Sequence, residues 1–396
     1  MLDLLIKGGT LIDTAQQIHA VKDIAVSNGK VTELADYIDP QKFSKVIDAK
    51  GKLVTPGLID LHLHVANIVT GLSVPPDEVG VRTGVTTVVD GGSTGYANFE
   101  GFKQFVIPQA QTDIFSFINV TPNGFSVIPE TWGWYDINPD AILNTVESNR
   151  DIIKGIKMRA IGSVIENQGT EAIKIAKKIA SAANLPLSVH IGIWLDETTP
   201  QKQVDAFTIE LLNSLDKGDI IEHIYTANPG GVIKPDGTVF PELWDAIKRG
   251  VILDVANGIF NFSFNIARIG LEKGVLPTAL STDFVTPNFD TPMVLSLTVT
   301  MSKFLALGLN LDQVIEMTTI NPARALGEDH QRGSLSVGMK ADISILELQE
   351  GHFIFQDRIE KYSAIKGNQL LIPKLTIKDG NVIEAGPRHI EYVYDK

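Results

Sequence analysis

Short apolar segments alternating with amphipathic helical stretches predict an α/β fold built on a closed parallel sheet, with a small β domain added from both chain ends. Three observations carry this: the alternation itself, its repetition eight times, and the placement of histidines at the segment ends.

The apolar segments fall at residues 54–64, 86–91, 114–121, 153–160, 185–191, 219–225, 251–256 and 277–284. Helical stretches separate them. In 169–183 isoleucine and alanine recur at three- and four-residue spacing, and 200–216 runs from a proline to a Lys-Gly stop. Eight repeats predict a (β/α)8, TIM-like barrel spanning residues 54–332. The flanks read as strands and turns. Residues 1–53 hold strands at 4–13 and 23–35, the second interrupted by the hairpin signal Ser27-Asn28-Gly29-Lys30. Residues 333–396 hold strands at 343–348 and 374–384, the latter with the turn Lys378-Asp379-Gly380-Asn381. The two ends are expected to pair into one small β-sandwich.

Composition limits the function classes. The chain has 396 residues, 44% of them hydrophobic and 20% charged, which suits a large globular core and excludes general disorder. A net charge of −13 without a basic patch argues against nucleic acid or an anionic membrane as partner. Cysteine is absent, so any metal must be held by nitrogen and oxygen. The start of the sequence lacks a basic leader and no apolar run reaches 18 residues, so a cytoplasmic chain without a membrane span is expected. The expected partners are a small-molecule substrate and further copies of the chain in a homo-oligomer.

In a barrel of this kind catalytic groups come from the carboxyl ends of several strands. The first segment ends Asp60-Leu61-His62-Leu63-His64, with two histidines two residues apart and therefore on one face of a strand. They are placed to share a metal. The fourth contains Lys157, whose charge is costly to bury, which favours a neutral amine able to take up carbon dioxide as a carbamate; a snorkelling or ion-paired lysine is the alternative. Arg159 follows on the same face, nearer the barrel mouth, as a clamp for a substrate carboxylate or as partner of a loop acid. The fifth and sixth segments end in His190 and His223. Each alone reads as a core histidine; together they read as a second metal pair from adjacent strands. The eighth ends Ser281-Thr282-Asp283, placing a carboxylate beside the first. Asp60 and Asp90 are candidates for orienting imidazoles, although plain structural hydrogen bonding is the better reading of both. Of eight histidines, only His62, His64, His190 and His223 fall at strand ends; His19, His330, His352 and His389 read as surface residues.

The ordered set Gly57-Leu58-Ile59-Asp60-Leu61-His62-Leu63-His64, Lys157, His190, His223 and Ser281-Thr282-Asp283 resembles the amidohydrolase superfamily, in its binuclear branch with dihydroorotases and hydantoinases. Residues 333–342 resemble that superfamily's usual return to the small domain. Residues 76–80, 84–92 and 155–159 resemble more narrowly the deacetylase-type members, often labelled adenine deaminase or dihydroorotase.

The resemblance implies two divalent ions, zinc by expectation. His62, His64 and Asp283 would hold one, His190 and His223 the other, and a carbamylated Lys157 would bridge them. Water activated at the metals would then cleave an amide or ester, with Asp283 moving the proton. A deacetylase or deacylase acting on a small carboxylate-bearing substrate is the expected function, with Arg159, Tyr225 and Asn257 contacting that substrate. A cyclic amide hydrolase shares every ligand. A mononuclear nucleobase deaminase would need an acid near the fifth strand, where this chain reads Val189-His190-Ile191-Gly192, and a noncatalytic scaffold would be expected to have lost ligands. One departure stands out: relatives of the deacetylase type are expected to carry histidine after the seventh strand, where Asn257 stands. Loops at 124–134, with Trp132 and Trp134, and at 225–231 are expected to shape the pocket.

Overall fold

The computed structural model describes residues 2–127, 136–193, 198–357, 363–386 and 388–394. The chain opens with β1 (Leu2–Asp13), β2 (Ile18–Ser27), β3 (Lys30–Ala35), β4 (Phe43–Asp48) and β5 (Leu53–Pro56). Asn28 and Gly29 take φ of 52° and 68°, the left-handed pair that a two-residue hairpin between β2 and β3 requires.

Seven strands then run parallel in sequence order: β6 (Leu58–Leu63), β7 (Val85–Asp90), β8 (Asp113–Asn119), β9 (Ile153–Arg159), β10 (Leu187–His190), β11 (Ile220–Glu222) and β12 (Ile252–Leu253). β7 is buried along its whole length, as a strand covered on both faces must be. Between strands, the helix Glu171–Ala183 buries Ala172, Ile173, Ala176, Ile179 and Ala180, the spacing read from the sequence, and Asn184 in the left-handed region ends it.

Two expectations change here. The segment 54–64 is not one strand: Gly57 separates β5, which belongs to the terminal sheet, from β6, which opens the barrel. A Cβ at Gly57 would come 2.2 Å from Thr86 Oγ1, so only glycine permits that crossing. The eighth segment, 277–284, forms no regular ladder. It meets Asp254 through an isolated bridge at Ala279, accepts from Asn257 and Gly258 amides at Ser281 and Thr282, and joins β6 through Asp283 N to His62 O at 2.7 Å. These bonds close the ring. At its end Asp283 adopts φ 51°, a conformation foreign to a strand.

Inside the ring, Ile59, Val89, Phe115, Phe117, Ile220 and Ala279 form one cluster with Ala323 and Leu326. Side chains of β8 and β11, which are not neighbours in the sheet, meet only across a barrel interior. The larger cluster lies between strands and helices.

The chain returns in β13 (Ile343–Gln356), β14 (Ala364–Lys378) and β15 (Asn381–Glu384). Because β5 pairs with both β1 and β13, all eight terminal strands are linked by hydrogen-bonded pairing, which carries both chain ends into one β domain. Among the described residues, no helix is long and apolar enough to cross a membrane.

Candidate metal centre

The carboxyl ends of the barrel strands bring the candidate ligands together. His62 and His64 direct their Nε2 atoms to Asp283 Oδ1, at 3.6 and 3.4 Å. The His190 and His223 rings lie 4.4 Å apart, and those of His62 and His223 5.5 Å apart. All four histidines are buried. Two groups of ligand-type atoms result: His62, His64 and Asp283, and His190, Glu222 and His223, each with its atoms within 4.8 Å of one another.

Backbone conformation at this mouth is unusual. His223, Ala256 and Asp283 have φ of 62°, 40° and 51°, each in the left-handed region. Such residues cost about 1–3 kcal/mol apiece, and here they cluster where strands hand over to loops. The turn at His223 lets Nδ1 reach the carbonyl of Ala256 at 2.8 Å.

That bond fixes the chemistry of the second pair. With Nδ1 of His223 donating to Ala256 and Nε2 of His190 3.3 Å from the Gly192 carbonyl, the lone pairs left on His223 Nε2 and His190 Nδ1 face each other across 2.8 Å. Two acceptors in that position call for a cation. In the first pair, His64 Nδ1 meets Ser93 Oγ at 2.9 Å, which leaves Nε2 for the shared point with Asp283. Burial is the first cause of the low imidazole pKa values: His64 is pushed down to about 3 and His223 to about 4. His62 and His190 are held well below the usual value by burial and by neighbouring cationic groups. All four are therefore neutral near pH 7, the form in which imidazole binds metal. The donor set fits two divalent ions held by nitrogen and oxygen.

Beneath the histidines lies a floor of buried acids. Glu222 Oε2 touches Lys157 Nζ and lies 3.4 Å from His62 Nδ1, while Glu222 Oε1 accepts from Ser188 Oγ at 2.6 Å. Asp254 Oδ2 is 3.8 Å from His62 Nδ1. Burial raises the carboxyls of Glu222 and Asp283, and raises Asp254 most strongly.

The sequence reading missed Glu222 and Asp254, although an acid inside an apolar strand, Ile220-Ile221-Glu222-His223, was the available signal. Glu222 also meets Lys157 Nζ, the contact that the ion-paired alternative for this lysine calls for. Asp90 accepts from the amides of Val65, Gly92 and Ser93, and Asp60 accepts from Thr282 N and Oγ1 at 3.0 and 2.6 Å. Both make backbone hydrogen bonds of a structural kind, and Asp90 reaches His64 through Ser93, whose amide it accepts and whose hydroxyl meets the His64 ring.

A cavity of about 230 Å³ opens onto His62, His64, Lys157, Arg159, His190 and Asp283. Its walls are Leu72, Phe125, Ile259, Phe260, Asn261, Val285 and Pro287. Arg159 stands over the Phe125 ring at 4.9 Å. Two expected substrate contacts do not line it. Tyr225 is fully buried, stacks on Phe304 and donates its hydroxyl to Val275 O at 2.7 Å. Asn257 donates to Gly258 O and Met293 O and accepts from Lys303, which turns its amide away from the cavity and into the core. The wall near strand seven is 259–261 rather than 225–231. Trp132 and Trp134 lie outside the described residues. The other histidines sit as expected: His19, His330 and His352 are exposed and His389 is half-buried.

The model of the amidohydrolase family matches residues 53–383 of the chain. A deacetylase of Brucella anthropi is 32% identical over 370 residues, covering 92% of this chain and 89% of its own. Among solved structures, one described as an adenine deaminase superposes with a TM-score of 0.87 at 27% identity, over 97% of this chain and all (100%) of its own. Another, described as a dihydroorotase, gives 0.84 at 28% identity, over 97% and 99%. The chain belongs to the amidohydrolase family and is a hydrolytic enzyme acting on carbon–nitrogen bonds.

Proposed function

We propose that this hydrolase is a deacetylase or deacylase, removing an acyl group from a small carboxylate-bearing substrate with two divalent ions, zinc by choice of ligands. The observation that carries the reading is the cavity: a metal-ligand cluster at its base, a guanidinium at one side, and apolar walls elsewhere. That combination suits a compact acyl compound with one anionic group. The likeness to a protein named deacetylase supports the same reaction class.

His62, His64 and Asp283 would hold one ion and His190 with His223 the other, and a further oxygen ligand would come from the floor where Lys157, as its carbamate, and Glu222 lie side by side. When bound, such ions polarise a scissile carbonyl and acidify water. Asp283, raised by burial and facing the cavity, accepts the proton of the attacking water and returns it to the leaving nitrogen or oxygen. Arg159 orients the substrate carboxylate, and Phe125, Ile259 and Phe260 exclude bulk water from the acyl group.

A cyclic amide hydrolase is the second reading, favoured by the superposition on a structure described as a dihydroorotase. Metal analysis of protein purified without chelators, followed by a screen of N-acyl amino acids, acyl esters, cyclic ureides and adenine, separates these. Hydrolysis of acyl compounds is expected. Selective opening of cyclic ureides overturns the deacylase reading, and protein that holds no divalent metal overturns both.

A further inference from the structure

We propose, on the reading that the enzyme removes an acyl group from a carboxylate-bearing substrate, that Asn261 is a specificity-determining residue: its side-chain amide donates to a neutral oxygen on the acyl group, so that hydroxy- or alkoxy-substituted acyl groups are preferred to plain alkyl ones. Asn261 lies in the cavity wall formed by residues 259–261 and is 5% exposed. It belongs to neither group of candidate metal ligands.

A relay of amides fixes which atom of Asn261 is left for the substrate. Asn228, on the loop after β11, sets its Nδ2 3.3 Å from Phe260 O and 3.1 Å from Asn261 Oδ1. A backbone carbonyl only accepts, so the end of Asn228 beside it must be the NH₂; turning that amide over would set oxygen against oxygen. The same NH₂ needs an acceptor on Asn261, so Oδ1 faces Asn228 and Nδ2 is the end left over. Among the described residues Asn261 Nδ2 has no hydrogen-bond partner of its own. Both asparagines are buried, which holds the relay in place.

Placement decides what this donor meets. Arg159 ends β9, whereas residues 259–261 follow β12, three strands further round the ring. A substrate with its carboxylate at Arg159 and its scissile carbonyl over His62, His64 and Asp283 therefore turns its acyl group toward Asn261. Ile259 and Phe260 beside it carry no charge to balance an anionic acyl group, so the acceptor that fits is a neutral oxygen: hydroxyl, ether or ketone. An alkyl chain in the same place strips water from Nδ2 and leaves it unpaired, and that is the source of the discrimination.

The test compares the N-methoxyacetyl and N-butyryl derivatives of whichever amino acid the metal-loaded enzyme hydrolyses fastest as its N-acetyl derivative. The two acyl groups have the same length and differ by an oxygen in place of a methylene. kcat/KM is measured for both with wild type and with Asn261→Leu, checked for native folding by near-UV circular dichroism. The inductive effect of the oxygen is common to both enzymes, so the quotient of their two ratios isolates the contact. The preference for methoxyacetyl is expected to be about 3- to 10-fold larger in wild type, the effect of one neutral hydrogen bond. Equal ratios in wild type and the folded variant overturn the proposal, as does a wild type that prefers butyryl. Should Asn261→Leu not fold, Asn261→Ala decides by the same comparison. If no N-acyl amino acid is hydrolysed and cyclic ureides are opened instead, the deacylase reading itself has failed, a result distinct from equal ratios.

Discussion

Lys303 Nζ donates to Asn257 Oδ1 at 3.0 Å and to Met293 O at 2.6 Å, inside a core where Phe262 and Phe264 flank the amine. This lysine, on the helix Leu297–Ala306, therefore anchors the end of strand seven just before residues 259–261 turn to wall the cavity. Burial pulls its pKa down to about 7, against the opposing attraction of Asp357.

A pH dependence of stability follows. Because the folded chain releases this proton near pH 7 and the unfolded chain keeps it to about 10.5, the unfolded state binds more protons between those values, and stability rises with pH across that window. Below about 7 both states are protonated and the cost of the buried charge is fully present. Urea denaturation of wild type and Lys303→Met across this range should show wild type gaining stability relative to the variant as pH rises. A constant difference would contradict the assignment. Asn257→Ala, which leaves the buried amine without its side-chain acceptor, should cost about 1–3 kcal/mol in the same assay.

Gly91→Ala should disable the first metal pair without altering any ligand. A Cβ at Gly91 would come 2.5 Å from His62 Cδ2 and 2.7 Å from its Nε2, and 3.3 Å from His64 Cε1. The ring must move, and the point it shares with Asp283 is lost. Metal content is expected to drop from two equivalents to one, with catalysis falling accordingly.

Asp283→Asn keeps the side-chain volume but removes the proton acceptor. A loss of roughly 10²–10⁴-fold in kcat is expected, the usual contribution of a positioned acid–base group. Because Asp283 also faces His62 and His64, the metal content of the variant should be counted alongside, so that a lost ion is told apart from a lost proton carrier.

Arg159→Met should act on binding rather than on chemistry. A charged hydrogen bond contributes about 1.5–3 kcal/mol, so KM for an acyl substrate bearing a carboxylate should rise about 10- to 100-fold with a smaller change in kcat. An analogue with a neutral amide in place of the carboxylate should be nearly indifferent to the change. Arg159→Lys should restore only part of the affinity, since an ammonium cannot form the planar double contact.

Much of the centre was legible in the sequence. His62, His64, His190 and His223 each follow an apolar run, and a strand's two-residue period together with its end assigns them to one mouth. Tyr225 and Asn257 were misplaced because a residue just past a strand end can turn either way: left-handed turns stand at His223 and Ala256, and neither following side chain lines the cavity. The eighth segment carried the right carboxylate but the wrong backbone, since φ at Asp283 is imposed by its bonds to β6 and by the close fit of Gly258, where a Cβ would come 2.6 Å from Asp283 Oδ2.

The sequence by itself determined the alternation that builds the barrel and the identity of the strand-end histidines, because both follow from local periodicity along the chain. Tertiary structure alone decided that Glu222 meets Lys157 from 65 residues away, that Asp254 joins the same floor, and that Lys303 anchors Asn257. Those contacts depend on how the parallel strands wrap and stagger, and on which buried charges are left facing one another once the ring has closed, and no local pattern encodes either.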